Sequence, residues 1–238
     1  MFATLGRLLR APSPWFGGFG ALLYCSWPLA WLLNPTVARH SLASQLQAPG
    51  QPYSWLFIAT DVTAGALLLI AGFLQLRGGA APSHLPFAVV ACYVAFGVLA
   101  MGAAVTPLTC DPSMQVCGPL LRHPLTIAHG AMSITSVLAL LAALIVVAAL
   151  LYRRGASRRT LALVNLVGFC WLIFGVGSLG DIWWHLHVST ELQDFFITVC
   201  SVTALLAVTG VEYMRRPSHA VVVVTPRTPA AVYNDDKG

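Results

Sequence analysis

Six apolar stretches dominate this chain, at residues 15–33, 55–76, 86–105, 124–151, 160–179 and 192–213. Each is long enough, or nearly so, to cross a hydrocarbon layer about 30 Å thick at about 1.5 Å per helical residue. Inside lipid a backbone must satisfy its own polar groups, and unbroken apolar runs of this length do so as helices. The expected fold is therefore all-α: a polytopic membrane protein with a six-transmembrane-helix bundle at 15–214 and no soluble module. Residues 1–14 precede it, and a Pro-rich tail at 215–238 is expected to be disordered. Only 9% of the residues are charged and mean hydropathy is +0.78. Soluble domains carry about a quarter charged residues, so composition supports the same class.

Basic residues set the expected orientation. Arg7 and Arg10 precede the first stretch, Arg77 follows the second, and Arg153, Arg154, Arg158 and Arg159 separate the fourth from the fifth. Arg215, Arg216, Arg227 and Lys237 follow the sixth, leaving only Arg39 and Arg122 for the opposite loops. Both termini are expected in the cytoplasm, in a multi-pass protein of the cell membrane. The net charge of +5 is accounted for by topology and by contact with anionic lipid, so no nucleic-acid partner is implied. The first stretch has a basic start, but its length, Pro28 and the interfacial Trp15, Trp27 and Trp31 favour a retained helix over a cleaved leader.

The other side of the pattern carries most of the acids and imidazoles. Asp61 falls about 9 Å into the second helix, a depth at which a carboxylate must be protonated, paired or wet. It is a candidate functional group, and the alternative is an interhelical bond through Asp61, Thr60 and Thr63. His129 lies at similar depth on the fourth helix, with Ser133 and Ser136 continuing its face. It can be an imidazole partner for Asp61 or a satisfied packing histidine. At the outer end of the fifth helix, Asp181 and His185 stand one turn apart, with His187 close behind, a spacing that suits a metal such as zinc. A solvated acidic rim has the same composition. Thr190-Glu191-Leu192-Gln193 reads as a capping box for the last helix.

Cys110 and Cys117 are the cysteines that fall in a loop, on the side expected to be oxidising, and a disulfide between them is expected. Cys25, Cys92, Cys170 and Cys200 lie within helices and read as packing residues. The loops at 34–54 and 106–123 contain Pro35, Pro49, Pro52, Pro107, Pro112 and Pro119 and are expected to be extended. No inverted repeat or matched pair of broken helices is visible, which counts against a secondary transporter. Nucleotide loops, Ser-His-Asp motifs, His-Glu-x-x-His helices and haem signatures are absent from the sequence.

The run from Gln47 through Pro49-Gly50-Gln51-Pro52 to Phe57 and Asp61, then Cys110-Asp111-Pro112-Ser113, Cys117 and His129, resembles a family of bacterial six-helix membrane proteins known only as a domain of unknown function. The resemblance implies that Asp61, Cys110, Ser113, Cys117 and His129 belong to one outer site. An acidic residue that often precedes the cysteine loop in that family has no counterpart in Met101–Thr106. A more distant likeness is to intramembrane metal-dependent lipid hydrolases of the alkaline-ceramidase and progestin-receptor-like kind, in chemical type rather than motif. Three classes of function are thus expected. The first is a metal-dependent hydrolase of lipid or envelope substrates using Asp61, His129, Asp181 and His185. The second is a small proton-coupled transporter using Asp61 and His129 as relay groups, and the third a non-catalytic accessory protein that uses its outer loops as a partner surface.

Overall fold

A computed structural model of the chain describes residues 12–35, 38, 43–77, 84–106, 108, 123–184 and 188–214, with backbone alone at 43, 84, 85, 178–184 and 188–191. The elements are α1 (Pro12–Tyr24), α2 (Trp27–Leu33), a 3-10 turn η1 (Ala43–Gln47), α3 (Ser54–Arg77), α4 (His84–Val105), α5 (Pro124–Arg153), α6 (Arg158–Trp184) and α7 (Val188–Met214). With α1 and α2 taken as one crossing, six helical spans are long and apolar enough to cross a membrane. No strand occurs among the described residues.

Proline chemistry explains the divided first span. Pro28 has no N–H to give, and its ring displaces the carbonyl four residues earlier, that of Tyr24. The helix accordingly stops at Tyr24 and resumes at Trp27 with Pro28 in its first turn. The interruption at Cys25 and Ser26 is fastened to α7: Trp27 Nε1 donates to Thr198 Oγ1 at 3.0 Å, and the Cys25 sulfur lies 3.7 Å from the same oxygen. One discontinuous helix is therefore present where the sequence reading registers Pro28 but expects no break.

The turn between α5 and α6 closes by local rules. Gly155 takes φ 63, and Ala156 N–H reaches back to Leu151 O at 3.0 Å, the helix-ending bond that a left-handed glycine permits. Ser157 then caps α6 by accepting from Thr160 N–H at 3.3 Å. At the other end His123 caps α5, its Nδ1 accepting from Leu125 N–H, with Pro124 as the first helical residue.

Packing places α7 at the centre, against α1, α3, α4, α5 and α6. The core is built from Tyr93, Phe96, Leu68, Leu140 and Val208, with Cys200 among them. Outward faces of α5 and α6 carry Ile127, Ile134, Leu138, Ile145, Leu166, Phe169, Leu172 and Val176, all exposed, which only lipid would make favourable. Small residues let helices touch: a Cβ on Gly97 of α4 would stand 3.0 Å from Gly65 O of α3.

Buried amides and hydroxyls fasten the bundle at the arginine end. Tyr93 donates its hydroxyl to Gln75 Oε1 at 2.6 Å, and Gln75 Nε2 donates to Val208 O at 2.9 Å. One fully buried glutamine thus joins α3, α4 and α7. Gln75→Leu is expected to lower stability by about 1–2 kcal/mol, read as an earlier midpoint in an SDS-unfolding titration of the micellar protein.

The described cysteines, Cys25, Cys92, Cys170 and Cys200, are free thiols. Cys110 and Cys117, and with them the expected disulfide, lie outside the described residues, as do the tail at 215–238 and residues 1–11. The last helix begins at Val188, so Thr190 sits inside it and is not the cap the sequence pattern suggests.

Candidate functional site

The loop between the first and second spans is not extended throughout. Its segment 43–51 folds back onto the bundle end, where Leu46 and Ala48 are buried and Leu46 clusters with Ala30 of α2 and Phe57 of α3. Burial of those two side chains, together with a bond from Gln47, draws the chain inward despite Pro49 and Pro52. Gln47 Nε2 donates to Asp61 Oδ2 at 2.6 Å and lies 3.5 Å from Phe57 O. The chain then enters α3 through Gly50 at φ 88 and Tyr53 at φ 61, the latter an uncommon conformation for a residue with a Cβ.

Asp61 sits two turns into α3, about 10 Å along the axis from Ser54. Its partner is the neutral amide of Gln47; Thr60 bonds back to Phe57 O instead of joining Asp61 in an interhelical link. His129 is buried on α5. Its Nδ1 lies 2.8 Å from Ala103 O and 2.9 Å from Thr106 O, at the C-terminal end of α4, where helix carbonyls lack intrahelical donors. A carbonyl can only accept, so Nδ1 must carry the proton in both contacts. In the neutral ring the lone pair then belongs to Nε2. That atom is buried and has no hydrogen-bond partner among the described residues.

Asp61 and His129 line one cavity of about 400 Å³. Gln47, Ser133 and Ser136 add polar groups to its wall, and Tyr24, Trp27, Phe57, Phe174 and Phe196 supply aromatic surface. Ser26 and Trp27 bring the interrupted first span to the same wall. Phe174 of α6 stacks on Phe196 of α7 with centroids 3.6 Å apart, and Trp171 meets Phe196 edge-on at 5.1 Å. Lys and Arg are absent from the lining among the described residues. The wall therefore offers the carboxyl of Asp61 and the ring of His129 within a mostly apolar, aromatic enclosure.

The remaining candidates are placed less fully. Asp181 lies in the last turn of α6 with its side chain outside the description, and His185 and His187 lie outside the described residues. Among the described residues no three His, Cys, Asp or Glu side chains converge as metal ligands. Asp194 accepts from Trp31 Nε1 at 2.7 Å, a tie between α2 and α7. Sequence reasoning passed over Gln47 as the partner of Asp61, and over Tyr24, Trp27 and Phe174 as cavity walls. The usable signals were Pro28, which interrupts the first span, and the position of Gln47 just before the Pro-Gly-Gln-Pro run.

These features define a multi-pass helical membrane protein with a polar-edged cavity inside its bundle. The family described as "Protein of unknown function (DUF998)" matches residues 18–212, and the chain belongs to it. No curated protein and no solved structure matches the chain.

Proposed function

We propose that this protein is a small proton-coupled carrier of the cell membrane, with Asp61 as the proton-binding group and His129 as the second residue that lines its solute site. The arginine distribution supports cytoplasmic termini and puts the cavity in the outer leaflet half. The observation that carries the reading is the shared cavity: the carboxyl of Asp61, whose partner among the described residues is the neutral amide of Gln47, and the ring of His129 line one space. Ionisable groups within a membrane span are functional by default because burying them is costly. An interrupted helix beside the cavity is a second support, since non-helical backbone at membrane depth is tolerated where it lines such a space.

The zinc hydrolase reading ranks below it on donor chemistry. Beside Asp61 and His129 the wall supplies hydroxyl and amide oxygens, which are poor zinc ligands compared with His, Cys or carboxylate. Asp181, His185 and His187 remain the proposed ligands should a metal bind at the end of α6. On the same orientation the Cys110–Cys117 loop faces the oxidising side. Peptide mapping without reductant is expected to recover those two cysteines as one cross-linked fragment, and two free thiols would refute the bridge.

The test is reconstitution of the full chain in liposomes holding a pH-sensitive dye. Addition of transported solutes is expected to shift the internal pH, with no shift in Asp61→Asn liposomes. Zinc-dependent cleavage of lipid esters lost in the same variant would instead favour the hydrolase. Indifference of both readouts to Asp61 would leave the accessory role.

A further inference from the structure

The carrier reading leaves open what enters the cavity and from where. Its wall answers both. Two lining residues, Ile134 and Leu138 of α5, are 64% and 57% exposed on the outside of the bundle, so the cavity reaches the surface on that flank. They lie about 15 and 21 Å along a helix whose 30 residues span about 45 Å, which sets the opening against acyl chains rather than water. On the neighbouring helix Phe174 joins the wall, so the cavity lies between α5 and α6 at that level. The loop end, by contrast, is capped by buried Leu46, Gln47 and Ala48.

We infer that the cavity opens sideways into the bilayer between α5 and α6 and takes a single-chain amphiphile with a protonated amine head. This rests on the carrier reading of Asp61 and His129. Charge selects the head: the lining holds one carboxylate and no cation among the described residues. The Asp61 carboxylate, held by one neutral amide donor, keeps further acceptor capacity, which fits a donor-rich ammonium and repels a carboxylate or phosphate. Tyr24 and Trp27 add aromatic surface to the wall, the kind of lining that favours a desolvated cation. Size selects the chain: about 400 Å³ lies at the low end of the ~300–1,000 Å³ typical of small-molecule sites, room for one alkyl chain and not for a two-chain phospholipid. The ammonium binds after Asp61 has released its proton, so amine and proton compete for one carboxylate, as exchange coupling requires.

Photolabelling of the full chain in phosphatidylcholine nanodiscs tests this. The probes are dodecylamine and dodecanoic acid, each with a diazirine near the chain end. The amine is expected to label cavity-lining peptides saturably and about tenfold more than the acid, a preference that Asp61→Asn removes. Ile134→Trp with Leu138→Trp, both at lipid-facing positions that leave the core intact, is expected to cut that labelling about tenfold while the melting temperature holds. Equal labelling by amine and acid, or labelling unmoved by the two tryptophans, overturns the inference. So does a label recovered on a second copy of the chain, which would make the flank a protomer contact. If labelling fails but liposome proton movement with a water-soluble solute still needs Asp61, the carrier reading survives alone. If that movement is also indifferent to Asp61, both fall.

Discussion

Asp61→Asn is expected to reduce solute-driven proton movement by about hundredfold or more, the scale at which positioned acid–base groups act. Shape is almost unchanged by this substitution. The asparagine oxygen can still accept from Gln47 Nε2, the bond that holds the wild-type carboxylate at 2.6 Å. What disappears is the ionisation. Because a charge in low dielectric costs stability unless well paired, its removal is expected to leave the fold unharmed or slightly firmer. Flux in proteoliposomes and thermal unfolding in micelles separate the two effects. Lost flux with a preserved melting temperature is the expected pattern. Retained flux would make Asp61 a structural partner of Gln47 and no more.

Gly97→Leu carries the largest expected cost to stability, about 2–4 kcal/mol. A Cβ alone at that position would lie 3.0 Å from Gly65 O and 3.3 Å from Leu68 Cβ, backbone and core that cannot swing aside. The helices α3 and α4 would have to separate, and Asp61 on α3 would move with them. Gly168→Ala provides the contrast. Nothing lies within 4 Å of the Cβ it adds on α6, so relief of glycine's conformational freedom is expected to stabilise by up to about 1 kcal/mol. SDS-unfolding midpoints of the two variants should therefore move in opposite directions. Matching shifts would mean that the glycines of the bundle act through helix propensity and not through contact.

The spans were legible because lipid demands long apolar runs: 55–76 differs from α3 by one residue at each end, and 86–105 from α4 by two at its start and none at its end. Helix ends were less legible where polar residues continue the turn. The apolar run at 192–213 marks the hydrocarbon-compatible part of α7, whereas the helix itself starts at Val188. The discontinuity at Cys25 and Ser26 has a local cause in Pro28, so it was readable in principle. Burial of 45–48 was not, because it depends on Leu46 meeting Ala30 and Phe57 across the fold. Proline count alone argued for an extended loop there. At the site, equal depth on two helices suggested that Asp61 and His129 share a space, which depth along a helix can indicate. Gln47 as the partner of Asp61, and the tie of His129 Nδ1 to the end of α4, are long-range contacts that no spacing rule encodes.

A double-mutant cycle on proton-coupled uptake measures the central claim, that Asp61 and His129 serve one site. Asp61→Asn, His129→Ala and the pair are compared in the same proteoliposomes. Groups that act as a unit give non-additive losses, so the double variant is expected to be little worse than either single one. Losses that simply multiply would mean that the carboxylate and the imidazole act independently, and that the shared cavity is not the functional site.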